Sequence, residues 1–292
     1  MGTTVIEEHL ALPPVGVAHT YAVQTRLELR LPGHQLQQTT TALVSLVVHR
    51  TSPTGSLLEL TTLEQHADAP TPQLELLLAI AGQQNPLLVR CDSRGKPQHI
   101  LNKATLAAQW QAALPALTAH HGAQPGAAAL LALVAPQYAE HSDLLEQAVL
   151  QQGPATVLLP GLYGLHSWQG DTRADALVVR QALGPVALPL QVQWRALPTD
   201  VFAPGTEVEG IGRLDRASLD QRASQQFLTS LRGGVWTGPP APLNVFWRAQ
   251  YTVGRLGQGL LAGRLGLRVA VDKLYFADIN HVVRPATTLA AT

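Results

Sequence analysis

The segment Tyr21-Ala22-Val23-Gln24-Thr25-Arg26-Leu27-Glu28-Leu29-Arg30-Leu31 alternates. Tyr21, Val23, Thr25, Leu27, Leu29 and Leu31 fall on one side, and Ala22, Gln24, Arg26, Glu28 and Arg30 on the other. A period of two sends successive side chains to opposite faces, so the segment predicts a strand with one buried and one wet face. Pro32-Gly33 turns the chain and a second run covers Gln38 to Arg50. Ser52-Pro53-Thr54-Gly55 turns it again, and a third run covers Leu57 to Gln65. Three consecutive strands with short turns predict an antiparallel meander.

Downstream, Thr71 precedes Pro72, and Leu74, Leu77, Leu78 and Ala81 share a helical face. This predicts a capped helix that closes at Asn85-Pro86. Leu87 to Cys91 and Gln98 to Leu101 predict short strands around the turn Asp92 to Lys96. The middle of the chain reads as helix. Asn102 is placed to cap a helix ending at Gly122, with the stripe Leu106, Trp110, Leu114 and Leu117, and with Pro115 inside it. A second helix is predicted over Ala127 to Tyr138, and Ser142 is placed to cap a third that ends before Gly153.

Sheet then returns. Val186, Leu188, Leu190, Val192 and Trp194 alternate, and Pro189 within that run predicts an edge strand. Further strands are predicted at 206–214, 245–253, 260–271, 274–276 and 278–283, with one helix over 217–232. Strands and helices segregate into blocks, which gives an α+β class. The expected architecture is a large curved antiparallel sheet of nine to eleven strands, half-barrel-like, with a helical insert at about 102–153 packed on one face. The expected organisation is a single domain over 1–292, with two domains dividing near 165 as the alternative.

Composition narrows the function classes. Of 292 residues, 46% are hydrophobic and 14% charged, and the formal net charge is zero. That charge content is well below the ~25% of an ordinary domain. Glutamine makes up the difference, with 25 residues against 20 Asp and Glu. A neutral chain has no global field for nucleic acid or an acidic membrane, so nucleic acid is an unexpected partner. Three Lys beside seventeen Arg, with Met1 the only Met, point to a compositional bias of a GC-rich bacterial source. The start Met1-Gly2-Thr3-Thr4-Val5-Ile6-Glu7-Glu8 lacks the basic and apolar regions of a secretory signal. No run of ~18 apolar residues predicts a transmembrane span. The expectation is a soluble cytoplasmic protein, or a periplasmic one if the native start was replaced.

Sites of chemistry are few. Cys91 is alone and sits in a predicted strand, so it reads as a buried inert thiol. His120, His121 and His141 cluster, but neighbouring helical residues point about 100° apart and lack metal-ligand spacing. Gly254-Arg255-Leu256-Gly257-Gln258-Gly259 opens a predicted strand, which suits a hairpin turn and not a dinucleotide loop. His166, Ser167 and Asp171 are close only in sequence, and a triad assembles in space. Glu207 and Glu209 share one face of a predicted strand, and a solvated face explains them. Between Arg213 and Arg268 eight Arg stand against Asp215 and Asp220. No catalytic, cofactor-binding or metal-ligating residue is assigned, and no cofactor is expected.

One anomaly points towards function. From Ala104 through Ala139 there is no Asp, Glu, Lys or Arg. Only Glu140, Asp143 and Glu146 interrupt the series up to Gly170. Helices on a protein surface ordinarily carry a charged face. Charge is costly to desolvate and is depleted in interface cores. Residues 104–170 therefore predict a surface for a partner protein, a second copy of the chain or an apolar ligand. Trp110, Leu114, Tyr163 and Trp168 are the candidate contacts, since aromatic side chains concentrate binding energy.

The order of elements resembles that of bacterial lipoprotein carriers, half-barrels whose curved antiparallel sheet is closed by helices around an apolar cavity. The resemblance covers most of the chain, rests on element order without a shared motif, and implies a lipid or other apolar small molecule as the alternative ligand. The leading expectation is a non-catalytic binding or assembly protein. An uncharacterised enzyme is the third reading.

Overall fold

The computed structural model describes residues 12–139, 143–150, 153–163, 172–198, 203–231, 233, 242–254 and 258–286. Among the described residues, ten strands form one antiparallel sheet. The first three are β1 (Ala18–Leu31), β2 (His34–Ser52) and β3 (Gly55–Ala67), followed by β4 (Leu87–Cys91) and β5 (Pro97–Ile100). After the helices come β6 (Arg173–Ala196), β7 (Gly205–Leu214), β8 (Leu243–Gly254), β9 (Leu260–Val271) and β10 (Tyr275–Pro285). Their order is β5-β4-β3-β2-β1-β10-β9-β8-β7-β6. The helices are α1 (Pro72–Gly82), α2 (Lys103–His121), α3 (Ala127–Val134), α4 (Leu144–Val149), α5 (Gly153–Leu158) and α6 (Gln221–Leu231), with a 3₁₀ turn at Ala135–Tyr138. The α+β class with a large antiparallel sheet holds. No helix among the described residues is long and apolar enough to cross a membrane.

The chain divides into two compact units. One comprises Met1–Leu12, Gln24–Thr39 and Tyr163–Arg284, and the other Pro13–Val23, Thr40–Leu162 and Pro285–Thr292. They are called here the strand unit and the helical unit.

In the helical unit, alternation builds the core directly. Ala42, Val44, Leu46 and Val48 of β2 and Leu58 and Leu60 of β3 are buried, while Arg50 and Gln65 are exposed. Thr71 caps α1 by accepting from the Leu74 amide at 3.2 Å, as its spacing predicts. Asn102 departs from its expected role as a cap for α2. Its amide reaches back to the sheet, accepting from the Leu88 N–H at 3.0 Å and donating to the Pro86 carbonyl at 2.8 Å. Two backbone groups beside β4 thus gain partners, which outweighs one cap bond. Ser142 lies outside the described residues, and Asp143 stands at the N-terminus of α4. Glu146 of α4 accepts the Ile100 amide at 2.8 Å on the edge strand β5. A carboxylate on an edge amide blocks pairing with another chain.

In the strand unit, β6 is the edge that Pro189 predicts. Its buried side chains Val186, Leu188, Leu190, Val192 and Trp194 join Trp247, Ala249, Tyr251 and Val253 of β8 and Leu265, Leu267 and Val269 of β9. Trp194 meets Trp247 edge to face at 5.6 Å and lies 6.2 Å from Tyr251. Gly210 of β7 leaves room for this cluster, because a Cβ there would stand 2.6 Å from the Trp194 ring. Gly184, at φ +54°, similarly accepts Phe227 of α6 against its Cα. Phe227 in turn packs on Tyr275 at 5.8 Å, and the Tyr275 hydroxyl donates to the Ala182 carbonyl at 2.8 Å. The helix α6 starts later than its hydrophobic pattern predicts. Asp215 folds the preceding residues into a turn by accepting from Ser218 Oγ at 2.9 Å and from the Ala217 amide, and Asp220 caps the helix at the Ala223 amide, 2.8 Å. The separate runs at 274–276 and 278–283 form one strand, β10, paired to β9 without interruption from Tyr275 to Val283.

Candidate functional site

The charge-free segment forms α2, α3 and the 3₁₀ turn in the helical unit. Alanine, leucine and glutamine have high helix propensity, so these helices need no ion pairs to form. Their inward line is Leu106, Trp110 and Leu117 of α2, Leu131 and Val134 of α3, and Tyr138, all buried. Trp110 stacks on Tyr138 with ring centroids 4.5 Å apart and planes 4° from parallel. The Tyr138 hydroxyl donates to the Ile80 carbonyl of α1 at 3.3 Å, and burial pushes that phenol up to about 12. These two rings tie α2 to the 3₁₀ turn and to α1.

The outward faces are exposed and uncharged. On α2 they present Ala104, Thr105, Ala108, Gln111, Ala112, Pro115, Ala116, Thr118, Ala119 and His120. On α3 they present Ala128, Ala129, Ala132 and Leu133, the last 72% exposed. Burial of these helices therefore does not account for their lack of charge. Other large apolar side chains of the same unit are also exposed, among them Val15, Leu63, Leu77, Leu101 and Leu144.

The four candidate contacts separate. Trp110 is fully buried, and its ring is occupied by Tyr138. Its indole N–H has no hydrogen-bond partner among the described residues. Leu114, one turn on, is half-buried and reaches the margin of the exposed surface. Tyr163 is buried in the strand unit. Trp168 lies outside the described residues.

Cys91 is buried, and burial with the neighbouring Asp92 charge pushes its thiol up to about 12, which disfavours the thiolate at neutral pH. His121 is buried against Gln124, 3.0 Å from its side-chain nitrogen, while His120 is exposed and His141 is outside the described residues. Among the described residues no three metal-ligating side chains cluster. Gly254 closes a hairpin, its N–H donating to the Gly259 carbonyl at 2.7 Å, with β8 and β9 antiparallel on either side. His166, Ser167 and Asp171 lie outside the described residues.

Glu207 is exposed, but Glu209 is covered by two guanidiniums. Arg195 Nε donates to it at 2.9 Å from β6 and Arg248 Nε at 2.7 Å from β8. These hydrogen bonds, from Arg195 first, hold the Glu209 carboxyl below its ordinary value. Both arginines are at least half exposed, so the carboxylate sits under side chains on the outer face and not in the core. A carboxylate held ionised by two cations is a poor proton donor. His281 of β10 is buried, with Thr25 Oγ1 2.9 Å from its Nδ1. Burial lowers its imidazole to about 4.

No family model matches the chain, and no curated protein matches it in sequence. Among solved structures it is similar to the lipovitellin of a study of lipid–protein interactions, at 8% identity and a TM-score of 0.46. That likeness covers 96% of this chain and 27% of the other, so the chain spans only a minor part of that protein. It is also similar to DynF from the dynemicin biosynthesis pathway of Micromonospora chersina, at 7% identity and a TM-score of 0.21, covering 100% and 89% of the two chains. Both likenesses are too distant to bear on what this chain binds.

Proposed function

We propose that the chain is a non-catalytic binding or assembly protein, which docks a partner protein or a second copy of itself on the outer faces of α2 and α3. The observation that carries this reading is the exposed surface of Ala104–Leu133, without a single Asp, Glu, Lys or Arg and with Leu133 72% exposed. Such a surface costs little to desolvate, and burying Leu133 alone contributes about 1.5–3 kcal/mol. Glutamine and threonine at its margin supply hydrogen bonds. In this reading Leu114 makes a contact, while Trp110 supports it from beneath.

The test is to place charge on the surface. Ala108→Glu and Leu133→Glu change exposed positions, so the variants are expected to fold as the parent does, with the same circular dichroism. In light scattering the parent is expected to show protein-sized assembly that changes little between low and high salt, and the variants are expected to lose it. Assembly that survives both substitutions, or that dissolves as salt rises, refutes the reading.

The buried face of β6–β9 favours a second reading. Trp194, Trp247 and Tyr251 line it together with Val253, Leu265 and Leu267, and these apolar side chains suit a lipid or other apolar small molecule. An extracted organic ligand that is lost on denaturation is the expected sign of it.

A further inference from the structure

The outer face of the strand unit carries Arg213, Arg248, Arg264 and Arg268, which belong to the arginine-rich stretch between 213 and 268. Strand register sets them in a row. Gln191 of β6 pairs Arg213 of β7, Phe246 of β8 pairs Arg268 of β9, and Arg268 pairs Asp278 of β10. Arg213 lies one step beyond the Gly212–Trp247 pair, which places it opposite Phe246. A depression of about 330 Å³ opens on this row, lined by Arg213, Arg216, Arg268, Asn244 and Phe246. Phe246 is 55% exposed, the most open aromatic side chain among the described residues.

The cations differ in what holds them. Arg268 donates to Asp278 at 2.7 Å and stands 5.8 Å from the centre of the Phe276 ring, so its position is fixed. The side chains of Arg213 and Arg216 make no hydrogen bond or ion pair among the described residues. The nearby carboxylate of Asp215 is occupied by the Ser218 hydroxyl and by the amides of Ala217 and Ser218. Two guanidiniums without counter-ions thus flank an open phenyl ring.

We propose that this depression docks an acidic peptide segment of a partner protein, with carboxylates on Arg213 and Arg216 and an apolar side chain on Phe246. Guanidinium forks match carboxylates in geometry, and their charge is unspent. The arrangement suits a peptide better than single-stranded nucleic acid. Such a strand stacks successive bases on successive aromatic rings. Here Phe246 is a single platform, because the Phe276 ring already carries Arg30 at 4.9 Å and Arg268 at 5.8 Å. The site belongs to the strand unit and is independent of the uncharged surface on α2 and α3.

The test uses the full chain and a fluorescein-labelled hexapeptide of alternating glutamate and leucine, with its glutamine counterpart as control, read by fluorescence anisotropy. The glutamate peptide is expected to bind at least about tenfold more tightly, the difference expected of one charge-assisted contact. Raising salt from about 50 to about 500 mM is expected to remove most of that preference. Arg213→Ala with Arg216→Ala, both exposed and unpaired, is expected to abolish the preference at unchanged circular dichroism, and Phe246→Ala to weaken both peptides. Equal binding of the two peptides, a preference untouched by the double substitution, or oligothymidylate binding more tightly than the glutamate peptide overturns the proposal.

Discussion

His281 makes the stability of the strand unit depend on pH. Its imidazole is buried on β10 beside Leu265 of β9, with Thr25 Oγ1 as its polar neighbour. Burial lowers it to about 4, against 6.5 for a free histidine. Between those values the unfolded chain binds a proton that the folded chain refuses. The stabilisation is therefore complete above about pH 6.5 and is lost as pH falls towards 4. Linkage gives a loss of about 2 kcal/mol between about pH 7 and about pH 4.5 from this one group. The carboxyl of Glu209, held low by its arginines, adds its own loss only below about pH 4.5, so the two windows separate. The assay is urea unfolding of the parent and of His281→Gln across that range, with the imidazole resonance missing from the variant followed by NMR. The parent is expected to lose about 2 kcal/mol more than the variant over the window, with that resonance unmoved above about pH 5. Equal pH slopes for the two proteins, or a titration midpoint near 6.5, refute the burial argument.

Other expected outcomes follow from the packing. Trp110→Ala is expected to destabilise the helical unit by about 4 kcal/mol in urea unfolding, whereas Trp110→Phe costs less, because it keeps a ring on Tyr138 and removes an indole N–H without a partner. Gly210→Ala is expected to cost about 2 kcal/mol, since its Cβ would stand 2.6 Å from the Trp194 ring, and Trp194→Phe in the same chain is expected to restore part of that loss. Glu209→Gln is expected to cost about 1 kcal/mol, a modest figure because both arginines are half exposed and screened, and high salt is expected to shrink it.

Much of the sheet was legible because strand signals are local. Alternation marks β1, β6 and β8, turn signals bound β2 and β3, Pro189 marks the edge, and Thr71 with Pro72 marks the start of α1. Asn102 does not cap α2 as its position predicts, because its amide serves the backbone of Pro86 and Leu88, which only the fold brings near. Leu106, Trp110, Leu114 and Leu117 form one stripe on a helical wheel, yet Leu114 is only half covered. A wheel reports direction, and coverage depends on what packs there. The arginine excess was visible, but its arrangement was not. Whether Arg213 faces Phe246 or the core depends on register, and a slip of one residue reverses every side chain. Glu209 shows the same limit, since its partners lie on two other strands.

Native mass spectrometry of the chain purified without detergent from its natural source tests the proposed assembly most directly. The predicted result is protein-sized mass above the 31.2 kDa chain, in copies of itself or of another protein, and its disappearance in Leu133→Glu. A bare 31.2 kDa monomer, or a monomer carrying only a small organic molecule, contradicts it.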